Sequence, residues 1–361
     1  MLVFAVVCLA VLLYTWVIYP LATWALARTR VTPVGTSNDQ ASVSVILATR
    51  EPDEAIARRV ANLRDTAHAG ALEIVVACDA SREGALPQLN GVRVVMGEPP
   101  RGKAGALNAG VTAATGEFIV MADTGQSFDR DTIPRLLQAL QADPRRGAVS
   151  GALSIEGASR WNVASIYWRY ERWLRAQEAR WHSAVGVTGA VYAMPRALWT
   201  PLPAGLILDD LFTPMQLVTR GYRIGLETRA VARDDRAFGQ ATEYRRKTRT
   251  LTGVLQLCAW LPEVLSPRRN PIWLQFVSHK LLRLLTPYVL IGAVVGAIGS
   301  AHARWPDDTS RLVTATAIYT CIAMLLSRRV RGLIWGLVLI QLAIVRATWN
   351  ALRGDWDVWR H

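Results

Sequence analysis

Residues 102–123, GKAGALNAGVTAATGEFIVMAD, set one lysine ahead of a helical stretch and end an apolar run in an aspartate. Gly102-Lys103 looks like the end of a phosphate loop. Ala104 stands where that motif needs Ser or Thr, however, and the loop glycines are missing. A lysine before a helix, followed by a strand ending in Asp, has another use. Lys103 can reach a diphosphate, and Asp123 can hold a metal ion or a sugar nucleotide. A second acidic point is Asp209-Asp210 in LDDLFTPM. Taken alone it reads as a helix start, since acids favour the first turn. A third group of charges is the basic run Arg245-Arg246-Lys247 with Arg249, which alone also fits an anionic lipid surface.

The elements that must position these residues follow from periodicity. SVSVILA (42–48), LEIVVAC (72–78), VRVVM (92–96) and FIVMAD (118–123) are near-continuous apolar runs. Helical patterns separate them at EPDEAIARRVANLRDTA and GKAGALNAGVTAAT, and TIPRLLQALQA follows. Alternation of this kind predicts an α/β domain with a mostly parallel sheet covered on both faces. Ligands of such sheets bind beyond the carboxyl ends of the strands. The polar residues at those ends, Glu51, Asp79 and Asp123, are therefore expected along one crevice.

The 361 residues carry two compositions and a net charge of +13. Residues 2–27 hold no charged side chain and are long enough to span a bilayer as a helix. They lack the basic start of a signal peptide, and their apolar stretch is too long for one. Further apolar segments lie at 284–301, 312–327 and 332–345, the last only 14 residues long and short for a span. NPIWLQFVSHKLLRLL reads as an amphipathic helix lying in the membrane interface. Arginines cluster beside the apolar runs, as in ALARTR and SRRVRG. The positive-inside bias then puts 28–270 and 327–331 inside and 302–311 outside. The expected organisation is a transmembrane helix over 1–28, a cytoplasmic domain over 29–270, and an interfacial helix with about three membrane segments over 271–361, in a multi-pass protein of the cell (inner) membrane. The basic balance does not signal nucleic acid, since no nucleic-acid-binding motif is present. Four cysteines without a C-x-x-C pair suggest neither a disulfide framework nor a zinc site. The aromatic segment IYWRYERWLRAQEARWHS reads as an interfacial anchor or core, with sugar stacking as the other use of such rings.

Read together, these stretches resemble the inverting, membrane-bound family 2 glycosyltransferases, the group of cellulose, chitin and hyaluronan synthases. The resemblance runs in order through Arg50-Glu51, Asp79 in CDAS, Lys103 to Gly110, DTGQSF at 123–128, VGVTGAVYAMP at 185–195, Asp209-Asp210 and EYRRKTRTLTG at 243–253. It implies transfer of a sugar from a nucleoside diphosphate sugar, UDP-linked in many such enzymes, to a growing polysaccharide at the inner membrane face. Transfer to a membrane lipid, or an inactive scaffold of the same fold, are the alternatives. It implies Asp210 as the base with Asp209 beside it. Glu51, Asp79, Lys103, Asp123, Arg245, Arg246 and Arg249 become donor-binding residues, and Asp123 the ligand of Mg or Mn. Two departures stand out. Gly125 replaces the usual second carboxylate of the metal motif, and Thr250 stands where a tryptophan usually follows the arginine. The apolar spans contain almost no ionisable groups, which argues against a transporter.

Overall fold

The computed structural model describes residues 1–30, 38, 40–82, 84–99, 102–155, 163–234, 240–304 and 328–357. Among them a single sheet has the order β3-β2-β1-β4-β7-β6-β8-β5. Its first half comprises β1 (Val43–Thr49), β2 (Leu72–Cys78), β3 (Arg93–Met96) and β4 (Phe118–Ala122), all mutually parallel. Every residue of β1 and β4 is buried, as expected for strands covered on both faces. The second half is mixed. β7 (Val191–Pro195) runs antiparallel to both β4 and β6 (Arg146–Ile155), while β8 (Arg223–Asp234) pairs β6 in parallel. The short β5 (Ser127–Phe128) closes the edge antiparallel to β8. The expected mostly parallel sheet thus holds for its first half, and β7 reverses direction in the middle.

The helices that matter for the site have local reasons to form. α2 (Asp53–Arg64) starts after Pro52 with Asp53 and Glu54 in its first turn and ends on Arg64, complementing its dipole. Its buried Ile56, Val60 and Leu63 recur at helical spacing and face the sheet. α3 (Lys103–Ala113) begins after Gly102, whose φ of 136° excludes most side chains. Near its end Gly110 touches the sheet. A Cβ there would meet Ile46 Cγ2 at 2.8 Å and Ala77 Cβ at 3.1 Å. α6 (Asp209–Thr219) opens on the two acids. α4 (Thr132–Gln141) precedes β6, α5 (Val163–Trp181) lies between β6 and α6, and α7 (Gln240–Trp260) follows β8.

The apolar helices flank this domain. α1 (Leu2–Arg28) and residues Ile334–Leu352 of α10 (Arg328–Leu352) are each long and apolar enough to cross a membrane. The helix expected to end at residue 345 continues to Leu352, so the 14-residue estimate was too short. Arg346 does not stop it, because one cation in an apolar helix of this length is tolerated. The expected interfacial helix is α8 (Trp273–Leu284). It is bent by 61° against α9 (Thr286–Arg304), and residues 273–300 pass as one broken span or a re-entrant loop. The expected segment 312–327 lies outside the described residues, as does most of the 302–311 loop.

A buried polar knot joins these helices to α5. His279 of α8 places Nδ1 2.8 Å from Glu178 Oε1 and Nε2 2.8 Å from Glu171 Oε1. Arg283 donates to Glu171 Oε2 at 2.7 Å, and Tyr19 of α1 donates to Glu178. Burial opposes ionisation of Glu171, but the surrounding cations win and hold it well below the ordinary carboxylate range. Each charge here has an opposite partner, as removal from water requires. The π-turn Val277–Leu281 carries His279, and a second π-turn, Tyr14–Ile18, lies in α1. Tyr14 and Ser278 hydroxyls, one from each turn, meet at 2.9 Å.

Gly110→Val tests the seating of α3 on the sheet. Overpacking at so close a contact should cost about 1–3 kcal/mol. The readout is a lower thermal midpoint of the detergent-solubilised protein, while a variant at exposed Gln88 should leave it unchanged.

Candidate active site

The carboxyl ends of β2, β1 and β4 lie side by side, because Thr49 is level with Cys78 and Leu47 with Ala122. Glu51, Asp79 and Asp123 therefore share one sheet edge. Their side chains do not converge. Asp79 Oδ1 accepts from the Ser81 amide at 2.7 Å, and Glu51 is exposed, its carbonyl accepting from Arg82. Neither side chain contacts the cluster around Lys103 among the described residues.

That cluster is compact. Lys103 Nζ lies 3.1 Å from Asp123 Oδ1 and 3.3 Å from Asp209 Oδ2. Burial works against the lysine charge, but Asp123, Asp209 and Asp210 outweigh it and raise its pKa. Asp209 is 9% exposed, whereas Asp210 is half-buried. For Asp210, burial and then the neighbouring Asp209 disfavour the charged form, while Lys103, Arg249 and Arg175 oppose them. The result is a pKa pushed up to about 6. The two acids thus differ in role within the structure: Asp209 pairs with the lysine, and Asp210 turns to another surface.

Three supports hold the cluster. Arg59 of α2 donates to the Asp123 carbonyl at 3.0 Å and stacks over Phe128 at 4.1 Å. Burial is the main reason its own pKa falls to about 9, with Asp123 pulling the other way. Asn62 bonds both polar groups of the Phe128 backbone, accepting from its N–H and donating to its carbonyl, so the DTGQSF turn is fixed to α2. Asn108, the asparagine of GKAGALNAG, pairs in the same two-way manner with Leu202. Gln256 of α7 accepts from Ile207 N–H and donates to the Gly205 carbonyl. The chain entering α6 is thereby clamped from both sides before Asp209 and Asp210.

Asp210 faces the segment 185–190. A Cβ at Gly189 would lie 3.4 Å from Asp210 Oδ2, so any larger residue would crowd the carboxylate. Gly186 has φ +92° and its neighbour Val187 donates to the Asp210 carbonyl at 2.8 Å. Beneath this turn sits Arg175 of α5. It donates to the Gly186 carbonyl at 3.2 Å, to Thr188 Oγ1 at 3.3 Å and to Ser150 Oγ at 3.4 Å. The Ser150 hydroxyl also accepts from the Thr188 amide. Sequence reading missed Arg175 and Arg59. Arg175 is one of four arginines in α5, and only folding brings it under a turn that follows in sequence.

The basic residues of α7 divide by what they face. Arg249 is near enough to Asp210 to lower its pKa. Arg246 lies 5.1 Å from the Trp168 ring and Lys247 4.2 Å from the Tyr167 ring, so these two stack on α5. Arg245 is exposed.

A divalent cation needs oxygen ligands. Among the described residues no group of three or more His, Cys, Asp or Glu side chains is arranged to hold one. Asp123 nevertheless offers a partly exposed carboxylate, and Asp209 lies across Lys103 from it. One carboxylate, with diphosphate oxygens and water for the rest, fits a cation that keeps much of its hydration.

Residues 44–197 match the family model described as Glycosyl transferase family 2. That stretch of the chain is therefore similar to family 2 glycosyltransferases. No curated sequence relative matches the chain. Among solved structures it is similar to the mannosyltransferase PcManGT from Pyrobaculum calidifontis, in complex with GDP-Man and Mn2+. That protein is 20% identical with a TM-score of 0.71, over 98% of this chain and 99% of that one. It is also similar to the glucosyl-3-phosphoglycerate synthase of Mycobacterium tuberculosis, solved with Mn2+ and UDP-glucose. There the identity is 17% and the TM-score 0.43, over 66% of this chain and 83% of that one. The matched stretch covers β1 through β7, and so includes Lys103, Asp123 and the Gly186–Gly189 turn. α6 with its acids follows it.

Lys103→Met should raise the Asp210 pKa above about 6, because Lys103 lowers it. The sign for stability follows. A carboxyl with a raised folded pKa makes the native state bind more protons than the unfolded chain. Stability therefore falls as pH rises from its unfolded pKa, about 4, to its folded value. In Lys103→Met that loss should extend to higher pH. Thermal midpoints measured between pH 4 and pH 8 check this. Parallel curves for wild type and variant would mean that Lys103 does not act on the acids.

Proposed function

We propose that the glycosyltransferase domain moves a sugar from a nucleoside diphosphate sugar to an acceptor hydroxyl at a membrane surface, with inversion. The observation that carries this reading is one ammonium shared by Asp123 and Asp209 at the carboxyl edge of the sheet, with Asp210 turned to a separate glycine-walled surface. The arrangement separates a donor side from an acceptor side. Lys103 binds the diphosphate, and Arg249 adds charge from α7. Asp79 and Glu51, farther along the edge, serve the nucleoside. PcManGT, whose fold this chain shares, binds GDP-Man, so guanosine and uridine donors are both candidates.

In the transfer, the acceptor oxygen forms a bond to the anomeric carbon on the face opposite the diphosphate. The bond from that carbon to the diphosphate oxygen breaks, and its electron pair leaves with the nucleoside diphosphate. Asp210 takes the hydroxyl proton. Lys103 and Arg249 meet the negative charge that grows on the leaving group. A divalent cation held by Asp123 would supply further positive charge to the diphosphate.

The membrane reading rests on α1 and on Ile334–Leu352, with the domain on the cytoplasmic side. A lipid acceptor is favoured over a long polysaccharide by one feature. Helix α5, which braces the acceptor-side turn through Arg175, also packs on α1, with Trp16 and Tyr170 rings 6.2 Å apart.

The purified protein should release nucleoside diphosphate from one member of a panel of UDP- and GDP-sugars, and excess chelator should stop the release. Absence of nucleotide binding across the panel would favour an inactive scaffold. Full turnover in chelator would leave the diphosphate to Lys103 and the arginines.

Asp210→Asn should lose about 100- to 10,000-fold in turnover, the contribution of a placed base, with donor affinity near wild type. Asp209→Asn should lose less. In wild type, kcat/KM should rise with pH through an apparent pKa near 6, because Asp210 must be ionised to accept a proton. A pH-independent rate between pH 5 and pH 8 would remove Asp210 from the role.

A further inference from the structure

Behind the acceptor-side turn is a recess lined by Gly151, Trp168, Arg172, Arg175 and Thr188, among others, with no acidic side chain in its lining among the described residues. Trp168, Arg172 and Arg175 are four and three residues apart on α5 and so share a face. Arg175 sits deeper. Among the described residues its hydrogen bonds go only to neutral oxygens, each at 3.2 Å or more, and its buried Nε has no hydrogen-bond partner. Arg172 is exposed, and among the described residues it has no hydrogen-bond or ion-pair partner. The contrast lies along the same helix, where Glu171 and Glu178 are saturated with cations and ring nitrogens. Arg175 feels the Asp210 carboxylate only at a distance, without a hydrogen bond or ion pair, so within the recess the two guanidiniums repel each other and the buried N–H loses hydration without compensation. An anion with several oxygens would answer both, and a guanidinium fork matches a phosphate in geometry.

Position narrows the ligand. Thr188, in the wall, precedes Gly189, which lies against the Asp210 carboxylate. α5 also packs on α1, where Tyr170 donates to the Trp16 carbonyl at 3.5 Å. The recess is therefore beside the acceptor side of the site and at the level where a membrane helix meets the domain. We propose that it binds the phosphate of a phosphate-bearing acceptor, held by Arg172 and Arg175 while an acceptor hydroxyl reaches Asp210. This rests on the sugar-transfer reading above for the identity of the ligand as acceptor. The phosphate comes from a lipid-linked phosphate or from a soluble phosphate ester, and the chemistry recognised is the same.

The test uses the full chain in phosphatidylcholine nanodiscs, with Mg2+ and saturating nucleoside diphosphate so that the donor side is filled. Hexyl phosphate is titrated by calorimetry. One saturable site is expected. Losing a hydrogen bond to a charged group should weaken it about tenfold or more in Arg172→Gln, and further in Arg172→Glu. Arg175→Lys should retain more affinity than Arg175→Gln. Nucleotide affinity measured on each variant first establishes that it is folded. Competition from polyprenyl monophosphate placed in the disc assigns the lipid source, and competition from a soluble glycosyl phosphate alone assigns the other. No saturable binding into the millimolar range, or binding unchanged in both Arg172 variants, overturns the proposal. If the sugar panel gives no turnover while hexyl phosphate still binds through Arg172, the transferase reading falls and the anion site stands.

Discussion

Three carboxylates crowd one end of the sheet, and one ammonium holds two of them. Like charges this close cannot all stay ionised without a cation. Lys103 supplies it, 3.1 Å from Asp123 and 3.3 Å from Asp209. The contact also joins parts far apart in sequence, the start of α3, the end of β4 and the start of α6. Any displacement of one would leave an uncompensated acid. The pair helps keep the two edges of the crevice at a fixed separation.

The supports read as consequences of that constraint. Gly102 at φ 136° lets α3 start where its first residue reaches β4, and Gly110 lets the same helix lie close to β1 and β2. Asn108 and Gln256 each bond both the donor and the acceptor side of a loop backbone, and Asn62 does the same for Phe128 of the two-residue strand β5. Paired bonds of this kind satisfy polar backbone groups that no ladder or helical bond reaches. The cation meets Asp123 and Asp209 but not Asp210, which keeps a carboxyl of raised pKa on the glycine-lined side.

α5 ties the site to the apolar helices. It carries Glu171 and Glu178 to the buried knot with His279, Arg283 and Tyr19, and Arg175 to the Gly186–Thr188 turn. A shift of α8 or α1 would act on that turn through a rigid helix. The domain and its apolar flanks are mechanically one unit at this point, held by charge pairs that are strong because they are dry.

The first strands, the α3 motif and the order of the acidic and basic points were legible in the sequence, because apolar runs and their polar ends are local patterns. Arg50-Glu51, Asp79 and Asp123 fell on one edge for the same reason: parallel strands align their carboxyl ends. The reversal of β7 was not legible, since strand direction depends on where a neighbour lies. The apolar run breaks off at Arg346 while α10 continues to Leu352, so hydropathy alone did not give its extent. The division between Asp209 and Asp210 was only half visible. Adjacent helical residues point about 100° apart, which says that the two must differ. Which of them meets Lys103 depends on α3, a hundred residues earlier in the chain. Arg175 had no sequence signal at all. Residue types and strand ends were thus set by the sequence, because they obey short-range periodicity. Pairing between charges, and the recess that brings Arg172 and Arg175 together, were decided only when distant segments packed together, because Coulomb energy depends on distance in space and not along the chain.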